Sequence, residues 1–407
     1  MITNYAIFLL LGFFLGIVVF GIFHLSIDAG LFLGLFLFSD SLLFILSKVL
    51  PDYKSLLVIF LFFIGVTISL VLLFPYRTFK GLDERGVFYW TLFLLYTLLS
   101  LIWSSNREYG YFKLLLFLVK GYFPGIVVFI VFKIFKKFAY KSLIFWGVIY
   151  SIVLLIYGTY EYHGRISLPG QNPIWTARSL ILFITILLLY QEKSRLLVIW
   201  KIVLLCCSIY LFLKTQSRGP LIAFIFTWTY YIINKLIGPK NGGLFRVKLS
   251  KTILTFMFLI SLFVMTVMLP SFNQSSVFNG DNRFAVLINK NLLSEDQNFV
   301  SRKIMWKEAL NKFYNSPFLG VGAGGYSFSG IDYPHNLLLE IMSELGIIGL
   351  ILWGMSLYRS FKATKGDLIM RMFFLQTIFF SLFSGDLGGN YEHVIIGLAA
   401  LAKRQKV

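Results

Sequence analysis

The residue pair His335-Asn336 is the feature of this sequence that points most directly to chemistry. It is followed by Gly346 and Gly349 within an apolar segment. At about 100° per residue in a helix, His335 shares a face with both glycines, which would let a neighbouring helix approach closely beneath it. Pro334 suits a first helical turn and so places His335 near a helix N-terminus. The positive end of a helix disfavours an imidazolium, so the neutral imidazole would be available to accept a proton.

Arg302 is the second candidate, because it lies on the apolar stripe of a predicted amphipathic helix. A guanidinium cannot lose its proton, so on such a face it requires a phosphate or carboxylate partner. The structural alternative is a salt bridge to Asp332 or Glu295, just as a capping role is the alternative for His335. The glycine-rich run 317–325 offers backbone amides that could converge on an anion. The stripe consists of Arg302, Trp306, Ala309, Leu310 and Phe313, opposite Lys303, Lys307 and Asn311.

Further basic residues lie at helix ends or inside apolar segments, where ionisable side chains are costly and indicate function. Arg165 and Arg218 lie at predicted outer helix ends. Lys113 and Arg178 could instead extend to the membrane surface, and Lys120 could pair with a buried glutamate. The predicted site therefore consists of His335 and Arg302 as catalytic residues, with Arg165, Arg218, Asn336, Lys113 and Arg178 as substrate-binding residues.

The acidic residues form no paired motif and no cluster with metal-ligand spacing, so metal-assisted catalysis is disfavoured. Glu340 and Glu344 lie four residues apart on one helix face, and a structural role is predicted for them. A metal-free site with basic groups and a neutral histidine suits a lipid-linked diphosphate, whose departure the arginines would stabilise. The alternative bases, should His335 only cap the helix, are Glu161, Asp332 and Asp386.

The composition identifies the chain as a polytopic membrane protein. Of its 407 residues, 58% are hydrophobic and only 14% are charged, and the mean hydropathy is +0.81. A soluble domain usually carries about 25% charged residues. The low content of Gly, Pro and Cys excludes a collagen-like rod, a disordered chain and a disulfide scaffold.

Apolar runs of about 20 residues, enough to cross a bilayer, recur along the chain and predict an all-α fold with twelve or thirteen spans. The first 75 residues are less regular, since Asp28, Ser39, Asp40 and Ser41 interrupt the apolar pattern, and a broken or re-entrant segment is expected there. The predicted spans are 5–23, 29–46, 55–74, 87–103, 114–132, 142–160, 174–190, 196–213, 219–234, 252–269, 336–358, 370–384 and 387–402.

The excess of basic residues, 37 Lys and Arg against 18 Asp and Glu, indicates orientation rather than a nucleic-acid ligand, because basic residues collect in cytoplasmic loops. With the basic clusters inside, 270–334 becomes a long extracytoplasmic insert that carries part of the active site, within a single transmembrane domain of residues 1–407. The basic clusters are 133–141, 235–251, 359–371 and 403–406, and the other outer loops are 104–112, 161–173, 214–218 and 385–392.

Several motifs of this sequence resemble those of the bacterial O-antigen ligase and Wzy-type polysaccharide polymerase family. The resemblance covers about residues 90 to 400 and includes the outer-loop histidine motif and the Ser-Arg-Gly run. The motifs that carry it are Leu99-Ser100-Leu101-Ile102-Trp103-Ser104-Ser105, Ser217-Arg218-Gly219, Arg302 with Trp306 before Pro317-Phe318-Leu319-Gly320-Val321-Gly322, and His335-Asn336 with Gly346 and Gly349.

The resemblance implies a GT-C-like glycosyltransferase bundle that moves a glycan from undecaprenyl diphosphate to an acceptor hydroxyl, with inversion and without metal or cofactor. It implies His335 as the catalytic base or as the group that positions the acceptor, and Arg302, with Arg165 and Arg218, as diphosphate contacts. The implied location is the bacterial plasma (inner) membrane, with the active site on the periplasmic side. The implied partners are the lipid-linked oligosaccharide donor, a glycan or lipid A core acceptor, membrane lipids and a chain-length regulator protein.

Several reactions remain open at this point. A polymerase would transfer the growing glycan to another lipid-linked repeat unit, whereas a ligase would transfer it to a lipid A core. Leu221 follows Gly219-Pro220 where ligases often have an aromatic residue, and this favours a polymerase. A flippase for lipid-linked sugars is the alternative from another class, although the chain lacks the internal repeats typical of transporters. A non-catalytic scaffold would leave the arginine on the apolar face unexplained.

Overall fold

The computed structural model describes residues 28–49, 85–161, 164–192, 194–237, 297–327 and 330–403. The spans predicted at 5–23, 55–74 and 252–269 lie outside these residues, as does the predicted start of the long loop. In chain order the elements are α1 (Ala29–Leu37), α2 (Ser39–Val49), α3 (Arg85–Ser100), α4 (Arg107–Leu116), a π-helical turn (Phe117–Tyr122), α5 (Phe123–Phe135), α6 (Tyr140–Tyr157), β1 (Thr159–Glu161), β2 (Arg165–Ser167), α7 (Pro173–Leu189), α8 (Arg195–Thr215), α9 (Arg218–Ile237), α10 (Gln297–Asn315), α11 (Leu337–Ala363), α12 (Leu368–Phe383) and α13 (Glu392–Lys403).

The described part of the chain is almost entirely helical, which confirms the predicted all-α polytopic membrane fold. Within it, four helical segments are long and apolar enough to cross a bilayer: the rod from α4 to α5, then α6, α8 and α11. Shorter apolar helices, α7, α12 and α13, pack among them, and nearly every side chain of α7 is buried. By contrast, α8 exposes most of its apolar side chains, as expected of a helix that faces lipid. The total of twelve or thirteen spans stays a prediction.

The segment predicted at 29–46 is broken, as its polar residues indicated. α1 ends at Leu37, Phe38 has φ −110° and ψ 19°, and α2 begins at Ser39. Asp28 caps α1, since its side chain accepts two backbone N–H groups of the first turn. Such a cap satisfies donors that have no partner inside the helix.

A π-helical turn joins α4 to α5 in one continuous rod. In an uninterrupted α-helix, Lys113 and Lys120 are seven residues apart and would lie on nearly the same face. The π turn contains Lys120 and has one residue more than an α-helical turn, so it moves Lys120 away from the face of Lys113. Lys113 therefore faces α11, whereas Lys120 lies over the ring of Tyr391, 5.5 Å from its centroid. The prediction that Lys120 pairs with a buried glutamate is wrong for this reason.

Lys113 is the lysine that pairs with both glutamates. Its Nζ lies 2.7 Å from Glu340 Oε1 and 2.8 Å from Glu344 Oε1, and all three side chains are buried. Glu344 Oε1 also accepts the backbone N–H of Tyr326 at 3.4 Å. Glu340 Oε1 accepts the backbone N–H of Leu387 at 3.1 Å. The expectation that Lys113 extends to the membrane surface is wrong, because the two carboxylates hold its ammonium group inside the bundle.

α11 is kinked at Gly346, whose φ of 63° and ψ of −161° are not helical. A Cβ at this position would lie 2.3 Å from the carbonyl oxygen of Phe318, so the glycine permits the preceding loop to pack closely against the helix. The common face predicted for His335, Gly346 and Gly349 is wrong, because the kink interrupts the helical period and His335 precedes the helix.

Contacts between loops support the predicted orientation, in which the basic clusters share one side. Tyr140, at the end of the first basic cluster, hydrogen-bonds to Asp367, which lies within the third. At the opposite end, Arg165 of one predicted outer loop donates to Ser217 of another at 2.8 Å. The loops at both ends thus group as the sequence predicted, and the side of the membrane that each group faces stays a prediction.

Replacing Lys113 by Met should strongly destabilise the bundle, because it leaves two buried carboxylates without their cation. Removing one partner of a buried ion pair costs about 3–5 kcal/mol. A large decrease in the unfolding temperature of the protein in detergent is therefore expected. Lys120→Met is the matched control, since it removes only a cation–π contact of about 0.5–2 kcal/mol. Equal unfolding temperatures for the two variants would contradict the role of the buried cluster.

Candidate functional site

A pocket of about 270 Å³ gathers three arginines that are far apart in the sequence. Arg165 comes from β2, Arg218 begins α9, and Arg302 lies on α10. Several guanidinium groups between apolar walls suit an anion that is attached to an apolar chain. The apolar part of the lining includes Ile174, Pro220, Ile222, Phe299, Trp306 and Phe383.

A short β-hairpin positions Arg165, which lies opposite Glu161 in the antiparallel pair β1–β2. The guanidinium is buried; its Nε donates to the carbonyl of Thr215 and its Nη2 to Ser217 Oγ, both at 2.8 Å. These two bonds fix the guanidinium beside the turn between α8 and α9. Arg218 begins α9 at the end of the same turn, so one junction supplies two of the three arginines.

The Ser217-Arg218-Gly219 motif shapes this junction. Ser217 is buried, and its hydroxyl donates to the carbonyl of Pro173 at 3.2 Å while accepting from the hairpin arginine. A Cβ at Gly219 would lie 3.0 Å from Phe383 Cβ, so the small residue lets α9 approach the end of α12. The serine and the glycine therefore hold the pocket walls together around the arginine between them.

α10 presents Arg302 to the pocket on the predicted face, and its lysines Lys303 and Lys307 are exposed on the other side. Arg302 Nη1 donates to the carbonyl of Phe383 at 2.9 Å. One turn later, the indole Nε1 of Trp306 donates to the carbonyl of Pro334 at 3.1 Å. α10 therefore contacts both the end of α12 and the segment that leads into α11.

The C-terminus of α12 receives arginines from two directions. Arg178 on α7 donates to the carbonyls of Phe380 and Ser384 at 3.1 and 2.9 Å. It also pairs with Glu392 at 3.4 Å. The last carbonyls of a helix lack partners within it and carry partial negative charge, so cations such as Arg178 and Arg302 are stabilising there. Arg178 is fully buried, so the alternative that it extends to the membrane surface is wrong, and its predicted role in substrate binding stays a prediction.

Lys113 and Asn336, also predicted to bind substrate, make structural contacts. Lys113 is enclosed by Glu340 and Glu344 and does not line the pocket. Asn336 is the N-cap of α11, and its Oδ1 accepts the backbone N–H of Leu339 at 3.2 Å. Lys113 is therefore held by its carboxylate partners, and Asn336 caps α11 beside His335. The predicted roles of both residues in substrate binding stay predictions.

His335 lies immediately before this cap, in a left-handed backbone conformation with φ 55°. Such a conformation costs a non-glycine residue about 1–3 kcal/mol. The imidazole packs edge-on against Tyr333, with ring centroids 4.5 Å apart. Its Nδ1 is buried and has no hydrogen-bond partner in the described part of the chain. The predicted place at a helix N-terminus is confirmed, although Pro334 precedes the helix and does not form its first turn.

Burial lowers the pKa of His335 from its ordinary 6.5 to about 4. The positive charge of Arg302 adds to this effect, and the carboxylate of Asp386 partly opposes it. The imidazole is thus neutral at physiological pH, as predicted, but burial and not the helix dipole is the main cause. Burial also raises the pKa of Tyr333, so its hydroxyl stays protonated beside the imidazole.

The run from Gly320 to Gly325 packs against the bundle and does not form the predicted anion site. Gly320, Gly322 and Gly324 have positive φ. The N–H groups of Gly320, Gly322 and Gly325 donate to carbonyl oxygens of the protein. A Cβ at Gly322 would lie 2.6 Å from the carbonyl oxygen of Ser100. The prediction is wrong because the amides of this run are already used: those of Gly320 and Gly325 donate within the loop, and that of Gly322 donates to Glu344 of α11. The N–H of Ala323 docks the loop on α3 through Ser100 Oγ.

Two features of the site were not predicted from the sequence. The carbonyl of Phe383 binds Arg302, and a backbone acceptor leaves no mark in a side-chain pattern. Asp386 was predicted only as an alternative base, yet it accepts the hydroxyl of Tyr109 and the N–H of Gly389, both at 2.7 Å. The spacing of Asp386 and Gly389 is typical of a turn in which a carboxylate accepts a nearby N–H, and it could have indicated this contact. Among the described residues, no group of three or more His, Cys, Asp or Glu side chains could hold a metal ion.

The imidazole of His335 should titrate near pH 4, and not near its ordinary 6.5. NMR of the protein with ¹³C-labelled histidine would follow the titration, with the signal assigned by comparison with a His335→Gln variant. Because Arg302 lowers this pKa, Arg302→Gln should raise the midpoint. A midpoint near 6.5 in the unsubstituted protein would contradict the burial of the imidazole.

Most of the residues that line the pocket lie within the segment of the chain that matches a family model. Residues 202–354 match the family model described as O-antigen ligase. No curated protein matches the chain. The matched segment includes Arg218, Arg302, Trp306 and His335. This segment of the chain is therefore similar to the O-antigen ligase family, which confirms the predicted resemblance to the O-antigen ligase and Wzy-type polymerase family.

Proposed function

We propose that this protein is a metal-independent, inverting glycosyltransferase that uses a glycan linked to undecaprenyl diphosphate. The observation that carries the proposal is the convergence of Arg165, Arg218 and Arg302 in one pocket of the segment that is similar to the O-antigen ligase family and of its neighbouring hairpin. Three guanidinium groups supply the positive charge that a metal ion provides in many other transferases. The apolar walls beside them suit the first part of the polyprenyl chain.

The proposed reaction starts with the acceptor hydroxyl, whose oxygen attacks the anomeric carbon of the donor sugar. The bond between that carbon and the diphosphate oxygen breaks, and undecaprenyl diphosphate leaves with the electron pair. His335 takes the proton of the hydroxyl, and the arginines stabilise the charge that develops on the diphosphate. Attack from the face opposite the leaving group inverts the configuration of the sugar.

Charge links donor binding to the strength of this base. In the free protein, Arg302 lowers the pKa of His335 and so weakens the imidazole as a base. A bound diphosphate would neutralise the guanidinium and remove this part of the effect. The imidazole would then become a stronger base when the donor is present, which limits proton transfer to the occupied site.

We further propose that the reaction is polymerisation of repeat units. The support is Leu221, which follows Gly219-Pro220 where ligases often have an aromatic residue. The alternative is ligation of the glycan to a lipid A core, which the description of the matched family favours. Purified protein in nanodiscs would be given an undecaprenyl-diphosphate-linked oligosaccharide, with and without a lipid A core acceptor. A ladder of products indicates a polymerase, and a single transfer to the core indicates a ligase. No product with either acceptor would contradict both.

The proposed location is the outer face of the bacterial plasma membrane. The grouping of the loops with Arg165 and Ser217 at the end away from the basic clusters supports it. In this location the partners would be the lipid-linked donor, a glycan or lipid A core acceptor and, for a polymerase, a chain-length regulator protein.

Arg302→Lys should weaken the binding of undecaprenyl diphosphate by about 10- to 100-fold, because an ammonium group cannot bind two phosphate oxygens with the fork of a guanidinium. Binding would be measured in nanodiscs. The matched control is Lys303→Met, which removes a charge from the exposed face of the same helix. Unchanged binding in the lysine variant would restore the salt-bridge alternative for Arg302.

His335→Asn should reduce turnover by about 10² to 10⁴, the usual effect of losing a general base. Asparagine tolerates the left-handed conformation that this position requires, so the backbone should be retained. Binding of undecaprenyl diphosphate should persist, because the arginines hold it. Near-normal turnover in a folded His335→Asn variant would show that His335 only precedes the cap, and Glu161, Asp332 and Asp386 would become the candidate bases.

A further inference from the structure

The hydrogen bond from Trp306 to Pro334 joins the arginine pocket to the histidine segment. Trp306 lines the pocket from α10, one turn after Arg302. Its indole Nε1 donates to the carbonyl of Pro334, one residue before His335, at 3.1 Å. One side chain therefore contacts both the proposed donor pocket and the backbone that carries the proposed base.

His335 requires restraint on both sides, because its left-handed backbone conformation is unfavourable and would otherwise relax. On the C-terminal side, Asn336 caps α11 and fixes the chain direction. On the N-terminal side, the hydrogen bond from Trp306 holds the carbonyl of Pro334. Tyr333 limits the imidazole itself, at a ring distance of 4.5 Å.

Two other contacts fix α10 without Trp306. Arg302 donates to the end of α12 at 2.9 Å. Tyr326 Oη donates to the carbonyl of Met305 at 3.0 Å, and both side chains belong to a small buried apolar cluster under α10. Loss of the indole N–H would therefore leave α10 in place and release only the segment at Pro334.

We propose that Trp306 is a positioning residue for His335. The indole ring of Trp306 faces the donor pocket, and its N–H restrains the backbone before the histidine. This inference rests on the proposed function, since it assumes that a glycan donor occupies the pocket. A donor packed against the ring would hold the indole in place and so strengthen the restraint. The site would then be fully organised only when the donor is bound.

Trp306→Phe tests the restraint, because phenylalanine keeps an aromatic ring in the pocket and removes the N–H donor. We expect turnover to fall by about 10- to 100-fold, as for a small misplacement of a reacting group, with little change in the affinity for undecaprenyl diphosphate. Phe299→Leu is the matched control, since Phe299 lines the same pocket from the same helix. It should weaken undecaprenyl diphosphate binding instead. Unchanged turnover in Trp306→Phe would overturn the proposal.

A double-mutant cycle separates positioning from general stability. In a His335→Asn background, Trp306→Phe should cause no further loss of turnover, because its effect passes through the imidazole. Losses that multiply would overturn the proposal. If Trp306→Phe fails to fold, benzothienylalanine at position 306 keeps the bicyclic shape without an N–H donor and should give the same result.

A measurement without substrate distinguishes failure of this inference from failure of the proposed function. The ¹³C signal of His335 should shift in Trp306→Phe, and its pKa should rise towards the ordinary value as the released segment becomes hydrated. Arg302, Asp386 and Tyr333, the charged and titratable groups that act on this imidazole, are unchanged in the variant. A shifted signal in a protein that transfers no glycan would overturn the proposed function and retain the restraint. An unchanged signal in an active protein would overturn the restraint alone.

Discussion

The end of the bundle that carries the pocket depends on the buried ion cluster of Lys113, Glu340 and Glu344. Inside a membrane, water cannot compensate an unpaired charge, so α4 and α11 must stay aligned for the three groups to remain satisfied. The same carboxylates accept backbone N–H groups at Tyr326 and Leu387. One cluster thus fixes the two loops that hold α10 and the end of α12, and these elements form the pocket.

The buried arginines of this protein have two kinds of surroundings. The difference distinguishes an arginine with structural partners from those with a proposed role in binding. Arg178 has a carboxylate and two carbonyls as partners and is enclosed by protein. Arg165 is also bonded to neighbouring groups, yet it lines a pocket together with Arg218 and Arg302. The carbonyls at the end of α12 accept hydrogen bonds from Arg178 and from Arg302. The same helix terminus therefore contacts a structural arginine and an arginine of the pocket.

The sequence predicted those parts of the structure that depend on local composition. Hydropathy located most of the described apolar helices, Arg165 and Arg218 were expected at helix ends, and an amphipathic pattern predicted the helix that carries Arg302. The predictions from sequence were wrong where the register of a helix determines which side chains meet. Lys113, and not Lys120, pairs with the buried glutamates, and a π turn interrupts the helix from which both lysines project. Gly346 breaks the period on which the face of His335 was predicted. Such changes depend on backbone hydrogen bonds that tertiary packing selects.

The π turn also limits how this chain can tolerate insertions and deletions. The part of the rod before this turn directs Lys113 to the ion cluster, and the part after it packs α5 against α13. Deleting one residue between Phe117 and Tyr122 would restore a regular α-helix and turn one half by about 100° relative to the other. Substitutions of lipid-facing residues can preserve both contacts, but a change in helix length cannot. The number of residues in this rod is therefore under stronger constraint than the identity of most of them.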